Sequence, residues 1–290
     1  MALPVRIEAA LKAAIDGADT PSAPPGLIKA LRYAVFPGGA RVRPTLSLAV
    51  ARACGDDHPA ISDAAAVAVE LLHCASLVHD DLPCFDNADF RRGKPSVHTV
   101  HGEPIALLTG DALIVMAFER LAVAAAIKPA RLAPLITTIA RGVGAPSGIV
   151  AGQAWESEPS APLDIYHQAK TGALFVAATT SGAIAAGADG APWRALGETL
   201  GAAYQVADDL LDALQSGAGE CDKPVGQDAL LKRPSAVAER GVHGALERLY
   251  ALVEQAVASV PQCEGAQEMR DMVRFSAMRL APKQLARSAA

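Results

Sequence analysis

Apolar residues recur every three to four positions along most of the chain, which is the spacing of a helix with a buried face. The pattern is clearest in residues 61–78, 105–121 and 193–214. Runs of alternating β-branched residues, which are typical of strands, are nearly absent. The hydrophobic pattern therefore predicts a fold built from α-helices.

Proline and glycine residues mark the predicted boundaries between these helices. They cluster at residues 21–25, 37–39, 142–148, 187–192 and 217–226. None of these clusters is long or polar enough to be a flexible linker between domains. We therefore predict one all-α domain, a helical bundle that comprises residues 1–290.

Composition narrows the classes of protein that fit. The 290 residues are 51% apolar, so the chain can bury a large core without disulfide bonds. A formal net charge of -5 shows no basic excess, which argues against a nucleic-acid partner. The five cysteines are widely spaced and form no C-x-x-C pair, which argues against a disulfide framework or a zinc site. We predict reduced thiols in a cytoplasmic protein.

The sequence gives no sign of membrane insertion. The N-terminal segment lacks the basic region and apolar core of a secretory signal. The longest uncharged run, residues 171–188, is about long enough to span a bilayer. It contains several Thr, Ser and Gly residues and directly follows Lys170. We therefore predict a buried helix there, and no stable membrane insertion.

Two acidic clusters follow strongly apolar helical stretches. In the second, Asp208, Asp209 and Asp212 lie within an arc of about 100° on a helical wheel, with Gln205 one turn before them. Carboxylates crowded on one helix face repel each other, so a cation should compensate them. Hard divalent ions, which prefer oxygen ligands, are the candidates.

The first cluster does not fit one helix face, because Asp80 and Asp86 would diverge by about 120° on a regular helix. Pro83 lies between them, and proline removes a backbone donor and clashes with the preceding turn. We expect the helix to end near Pro83, which would let the two carboxylates converge. His73, two turns before Asp80, should lie on the same face.

The two clusters together indicate a diphosphate site. Arg91 and Arg92 follow the first cluster. Carboxylates that bind magnesium, beside arginines that can form paired hydrogen bonds with phosphate oxygens, are the usual components of such a site. A single Asp-Asp pair at a helix end is commonly a solvated surface feature, but two clusters beside apolar helices favour the functional interpretation.

The chain resembles the trans-isoprenyl diphosphate synthases. DDLPCFD at 80–86 is similar to the first Asp-rich motif of the bacterial members, and QVADDLLD at 205–212 to the second. Further similar segments are PGGARVRP at 37–44, HCASLVH at 73–79, LLTGDAL at 107–113, AGQAWE at 151–156, AKTGALF at 169–175 and KPVGQD at 223–228. The strongest resemblance is to the geranylgeranyl diphosphate synthases of bacterial carotenoid pathways.

This resemblance implies a helical bundle around a deep central cavity, magnesium as cofactor, and isopentenyl and allylic diphosphates as substrates. It implies metal ligands at Asp80, Asp86 and Asp208, and catalytic roles for Asp81, Asp209, Asp212 and Lys170. It implies that Arg91 binds the allylic diphosphate and that Arg43, His73 and Arg92 bind isopentenyl diphosphate. Lys170, Thr171, Gln205 and Lys223 would surround the departing diphosphate.

The sequence departs from the family pattern at two places. Ala40 replaces the lysine that family members carry after the Gly-Gly pair. Either Arg41 or another cation compensates for it, or isopentenyl diphosphate binds more weakly. After the second motif, Gln215–Ser216 and Asp222–Lys223 replace the usual Gly-Asp and Gly-Lys pairs. These changes leave the predicted metal ligands intact.

Residues just before the first motif are expected to set the product length. In the family, aromatic side chains at the positions of Ala75 and Ser76 stop growth at fifteen carbons. These two small residues therefore favour a twenty-carbon product. The alternative interpretation is that they are only packing residues, which are common in an alanine-rich chain, and the alternative function is a farnesyl diphosphate synthase.

Two other functions compete with an active synthase. A non-catalytic subunit of a heteromeric synthase would be consistent with Ala40 and the altered segment after the second motif. A class I terpene cyclase would carry an Asn/Ser/Glu triad in place of QVADDLLD, and the chain does not. The resemblance also implies a homodimer.

Overall fold

The computed structural model describes residues 2–160, 162–215 and 236–278. This part of the chain is mostly helical and contains only one short hairpin, which confirms the all-α prediction. Its backbone forms two compact units. The described residues within 1–140 and 177–190 form the first, and those within 141–176 and 191–290 form the second. The prediction of a single domain stays a prediction.

The first unit contains most of the long helices. They are α1 (Leu3–Ala18), α2 (Pro25–Val35), α3 (Val42–Ala53), α4 (Pro59–Asp80), α5 (Val97–His101), α6 (Glu103–Ala125), most of α7 (Pro129–Val143) and most of α10 (Ala173–Ala185). A two-stranded antiparallel hairpin, β1 (Phe90–Arg91) and β2 (Lys94–Pro95), lies between α4 and α5. The hairpin was not predicted, because strands of two residues leave no periodic pattern.

Helix α4 is the central helix of the first unit. Fourteen of its residues are buried, among them Ile61, Leu71 and Leu72. It is long and apolar enough to cross a membrane, but 78% of its most apolar window is buried, as expected for the core helix of a soluble protein. Among the residues that the structure describes, no other helix meets the same test.

Small residues allow the backbones in this unit to approach closely. A Cβ added to Gly182 in α10 would collide with the backbone carbonyl of Ser47 in α3. A glycine at this position therefore lets the two helices pack backbone to backbone. This tight packing is consistent with a core composed mainly of alanine, leucine and valine.

The second unit carries the second acidic cluster. Its helices are α8 (Ile149–Trp155), α9 (Leu163–His167), α11 (Arg194–Gln215), α12 (Ala236–Ala258) and α13 (Ala266–Met278). A π-helical turn, Gln168–Gly172, joins α9 to α10, and a 3₁₀ turn, Ala191–Trp193, leads into α11. Helices α11 and α12 share a buried cluster of Ala203, Val206, Ala207, Leu210, Ala245, Leu249, Leu252 and Val253. This cluster fixes the orientation of α11 within the unit.

Candidate active site

The first acidic cluster begins where α4 ends. The helix stops at Asp80, and the backbone N–H of Asp86 then donates to the carbonyl of Asp80 at 3.0 Å. This turn brings a carboxylate oxygen of Asp86 within 4.8 Å of one of Asp80. The predicted convergence around Pro83 is confirmed. Two converging carboxylates provide the oxygen donors that Mg²⁺ prefers, so the donor set fits this ion.

The hairpin after this turn presents Arg91 to the cluster. Its Nε donates to Asp81 Oδ1 at 2.7 Å, and its Nη2 lies 3.4 Å from Asp80 Oδ2. Asp81 is only 3% exposed, and burial raises the pKa of its carboxyl although Arg91 opposes that shift. Asp81 therefore holds the arginine in place while Asp80, which is half-buried, stays more accessible.

The guanidinium of Arg41 is held by partners that the sequence did not indicate. Its Nε donates to Glu8 at 2.8 Å, its Nη1 to Glu70 at 2.7 Å and its Nη2 to the carbonyl of Val35 at 2.7 Å. The residue is 7% exposed, and its positive charge is balanced by two carboxylates. These contacts place Arg41 in the interior of the first unit and argue against substrate binding, which stays a prediction for this residue.

Other cationic groups gather around His73. Burial, followed by the charges of Arg43, Arg92 and Arg91, holds the pKa of His73 well below its usual value of 6.5. The imidazole is therefore neutral near pH 7 and can donate or accept a hydrogen bond. Several arginines around a neutral imidazole form a positively charged region that is suited to binding an anion.

The residues predicted to set product length lie one to two turns before Asp80. Ala75 is 1% exposed and packed within the first unit. Ser76 is half-buried, and its hydroxyl donates to the carbonyl of His73 at 2.8 Å. Their assignment to product length stays a prediction.

In the second unit, Lys170 and Thr171 lie on the π-helical turn. Turns of this kind are rare and occur frequently at functional sites. The Lys170 ammonium donates to Glu156 Oε1 at 2.5 Å, and the same oxygen accepts from the Tyr166 hydroxyl at 2.6 Å. Gln153 donates to the other Glu156 oxygen at 2.8 Å. Glu156 therefore fixes the position of Lys170.

Glu156 was missed from sequence. The segment AGQAWE was quoted only as a similar motif, and nothing in it indicates a contact with a lysine fourteen positions later. The carboxylate that orients a functional lysine can be found only once the fold brings α8 and the π-helical turn together.

A chain of hydrogen bonds links the π-helical turn to the second acidic cluster. Thr171 donates to Gln205 Oε1 at 2.8 Å, and Gln205 Nε2 donates to Asp209 Oδ1 at 3.0 Å. The other oxygen of Asp209 accepts the backbone N–H of Ala236 at 2.7 Å, at the start of α12. Asp209 is 6% exposed, whereas Asp208 and Asp212 are half-buried.

Comparison with known proteins identifies the family to which the chain belongs. The family model described as polyprenyl synthetase matches residues 24–269, most of the chain. The chain belongs to the polyprenyl synthetase family. It is 58% identical over 286 residues to a geranylgeranyl diphosphate synthase of Cereibacter sphaeroides, covering 99% of both chains. It is 54% identical to a geranylgeranyl diphosphate synthase of Rhodobacter capsulatus, covering 97% of this chain and 96% of the relative.

A solved structure of a family member supports the same assignment. The geranyltransferase of Helicobacter pylori, complexed with magnesium and isoprenyl diphosphate, has 27% sequence identity and a TM-score of 0.76. The match covers 96% of this chain and 97% of that one. The all-α fold expected from the resemblance is therefore the fold of the polyprenyl synthetase family.

Two predictions that come from the family resemblance stay predictions: the role of Lys223, and the binding of one diphosphate by both acidic clusters. Lys223 and Asp222 lie outside the described residues, as does Ser216. The first acidic cluster lies in one compact unit and the second in the other. That both clusters bind one diphosphate is an expectation carried over from the resemblance to the family.

Proposed function

We propose that this chain is a prenyltransferase that joins isopentenyl diphosphate head-to-tail to an allylic diphosphate, with geranylgeranyl diphosphate as its product. The observation that carries the proposal is the 58% identity with a geranylgeranyl diphosphate synthase over 99% of both chains. The converging carboxylates of Asp80 and Asp86, next to Arg91, give the chemistry that such a reaction needs.

The acidic residues would hold magnesium. Asp80 and Asp86 on one side and Asp208 on the other are the proposed ligands. The bound ion supplies positive charge to the departing diphosphate. Asp81 and Asp209 are buried and bonded to protein groups, so we assign them to positioning, with Asp212 in support.

The cationic side chains would bind the two substrates. We assign the allylic diphosphate to Arg91, and isopentenyl diphosphate to Arg43, His73 and Arg92. Arginine forms paired hydrogen bonds to phosphate oxygens, and a neutral imidazole adds a donor without adding charge. Lys170, Thr171, Gln205 and Lys223 would surround the diphosphate that leaves.

The reaction begins when the allylic carbon–oxygen bond breaks and charge separates. Groups that stabilise the diphosphate more strongly than the intact substrate lower the barrier. Lys170 suits this role because Glu156 and the π-helical turn hold it before the substrate arrives. The double bond of isopentenyl diphosphate then attacks the allylic cation, and the proton lost can pass to a diphosphate oxygen.

A twenty-carbon product is supported by two observations. Ala75 and Ser76 carry small side chains where aromatic residues would stop growth earlier. Both relatives described above are named geranylgeranyl diphosphate synthases. A farnesyl diphosphate synthase, with a fifteen-carbon product, is the second candidate.

We also propose a cytoplasmic homodimer. Helix α6 exposes several large apolar side chains, among them Leu108 at 51% and Val115 at 67%. These two residues are seven positions apart, so they lie near one face of the helix. A second copy of this chain is the occupant that we propose for this face, because exposed apolar surface on a helix is commonly covered by a partner.

The deciding experiment supplies the purified protein with magnesium, labelled isopentenyl diphosphate and, in separate assays, dimethylallyl, geranyl or farnesyl diphosphate. Chromatography of the dephosphorylated product should show geranylgeraniol. A product of fifteen carbons from geranyl diphosphate, with no extension of farnesyl diphosphate, would identify the second candidate. No product from any allylic primer would favour a non-catalytic subunit.

A matched pair of variants tests the metal ligands. Asp80→Asn should lower kcat at least about a hundredfold at saturating magnesium, because it removes a contact that is stronger in the transition state. Asp89→Asn, an exposed carboxylate in the same segment, should change kcat less than about threefold. Near-wild-type turnover of Asp80→Asn would contradict the proposed site.

A further inference from the structure

Two side chains fasten the hairpin to the end of α2. The Lys94 ammonium donates to the carbonyls of Tyr33 at 2.6 Å and Phe36 at 3.1 Å, and lies 4.0 Å from the centre of the Tyr33 ring. In return, the Tyr33 hydroxyl donates to the carbonyl of Pro95 at 2.7 Å. We call this arrangement of Tyr33 and Lys94 the clasp.

The clasp fixes the positions of the two segments that meet where Arg92 contacts Gly39. Arg92 and Gly93 form the two-residue turn of the hairpin, with φ angles of 55° and 72°, as a type I′ turn requires. The Arg92 guanidinium lies only 2.6–2.8 Å from the point where a Cβ of Gly39 would be. Lys94 is two residues after Arg92, and Phe36 is three residues before Gly39. The clasp therefore holds the turn and the glycine segment at a fixed separation.

The charge balance of the clasp differs from that of the neighbouring arginines. Arg41 and Arg91 are each paired with two carboxylates. Within the described residues, Lys94 is bonded to carbonyls and has no carboxylate partner. Burial, and after it the charge of Arg92, lowers the pKa of Lys94. Carbonyl groups hold the ammonium without neutralising it, so its charge still attracts an anion.

We propose that Lys94 is a positioning residue for isopentenyl diphosphate, which acts by holding Arg92 against Gly39 in the orientation that binds this substrate. The inference rests on the proposed function, since it refines one of the two diphosphate sites. Arg91 is the cross-strand partner of Lys94 in the same hairpin, but its guanidinium is held by Asp81 and Asp80. We therefore expect the allylic diphosphate site to depend on the clasp much less than the isopentenyl diphosphate site does.

The experiment measures the two KM values of Lys94→Met. Methionine keeps the unbranched shape and most of the length of the side chain, and it removes the donors and the charge. We expect the KM for isopentenyl diphosphate to rise about tenfold, the usual effect of losing charge-assisted hydrogen bonds that fix a ligand. The KM for the allylic diphosphate and kcat should each change less than about threefold. Lys94→Arg, which keeps donors for the two carbonyls, should recover most of the affinity.

Control and coupling variants separate positioning from a general loss of structure. Lys29→Met removes an exposed lysine from the same helix as Tyr33 and should leave both KM values unchanged. If Lys94 acts through Arg92, then Arg92→Ala combined with Lys94→Met should be no worse than Arg92→Ala alone. Additive losses in the double variant would overturn the inference.

Other outcomes are equally decisive. An unchanged KM for isopentenyl diphosphate in a folded Lys94→Met protein, or an equal rise for both substrates, would reject the clasp. Should Lys94→Met fail to fold, Tyr33→Phe removes only the bond to Pro95, and a selective rise of about threefold would support the inference. An unchanged value would reject it. Wild-type protein that turns over no isopentenyl diphosphate would instead contradict the proposed function.

Discussion

The two aspartates of each Asp-Asp pair have different surroundings. Asp80 and Asp208 are half-buried, whereas Asp81 and Asp209 are 3% and 6% exposed. Asp81 binds Arg91, and Asp209 binds Gln205 and the first backbone N–H of α12. Burial raises the pKa of both buried carboxyls. Within each pair, the first aspartate thus suits a ligand role and the second a positioning role.

His73 should make the stability of the protein dependent on pH. Its pKa is well below 6.5 in the folded protein, chiefly because of burial. The unfolded chain takes up a proton near pH 6.5 and the folded protein does not, so acid favours unfolding. Between pH 7.5 and 5.5 this single group should lower the unfolding free energy by on the order of 1 kcal/mol. Urea denaturation at the two pH values measures the loss.

The comparison with His73→Gln isolates this effect from the other histidines. Glutamine stays polar but does not titrate, so the variant should lose on the order of 1 kcal/mol less than the wild type over the same pH range. An equal loss in the two proteins would show that His73 titrates in the same way whether folded or unfolded.

Ala75 should limit product length when it is enlarged. Ala75→Tyr places a large ring one turn before the first acidic cluster, and chromatography should show a shift from twenty to fifteen carbons. Ser76→Phe, at a half-buried position, is a second variant that disturbs packing less. Ala60→Tyr, exposed near the start of the same helix, should leave the product unchanged. If neither enlarged residue shortens the product, its length is set elsewhere, for example near Met116.

Arg41 shows where prediction from sequence stops. Its position after Gly39 and Ala40 indicated a substrate-binding cation, and the residue type is right for that role. Its partners Glu8 and Glu70 are 33 and 29 residues away in the chain. A buried ion pair between such distant residues depends on how α1, α4 and the loop before α3 pack, and no local pattern indicates it.

At the scale of the elements, the sequence predicts the long helices and the end of α4. Residues 61–78, 105–121 and 193–214 lie within α4, within α6, and within α11 together with the turn before it, because long apolar periodicity is a strong signal. The position of Pro83 led to the correct prediction that the carboxylates of Asp80 and Asp86 converge. The hairpin and the π-helical turn were not predicted, since each departs from regular periodicity over only a few residues.

A glycine in α11 allows the π-helical turn to approach it. A Cβ on Gly201 would lie 2.7 Å from the Cα of Gly172, which ends that turn. Gly201→Ala should therefore displace Lys170 and Thr171, lowering the unfolding free energy by about 1–3 kcal/mol and reducing kcat. Urea denaturation and steady-state assays measure the two effects.

Gly26 provides the control, because a Cβ there meets no atom within 4 Å. Gly26→Ala lies in the first turn of α2 and should be neutral or stabilising by up to about 1 kcal/mol, with kcat unchanged. If Gly201→Ala behaved in the same way, the close approach of α11 to the π-helical turn would not matter for stability or activity.

For the whole molecule, the family match spans parts of both compact units. It extends over residues 24–269, whereas the units divide near residue 140, within α10 and after residue 190. The two acidic clusters are therefore parts of one family-wide sequence that crosses the unit boundary three times. A function that needs both clusters requires both units, which is why neither unit is expected to be active alone.

If the chain forms the proposed homodimer through α6, charged substitutions on the exposed apolar face of this helix should separate the two copies. A charged residue on the apolar face of α6 would have to be buried without a partner in the dimer, which is strongly unfavourable. Val115→Glu, and more so Leu108→Glu combined with Val115→Glu, should convert the protein from a dimer of twice 29.8 kDa to a monomer. Light scattering during gel filtration at one fixed protein concentration measures the mass. Val5→Glu introduces the same charge at a 59% exposed valine on α1 and should leave the dimer intact. A dimer that persists in the double variant would place the interface on another surface.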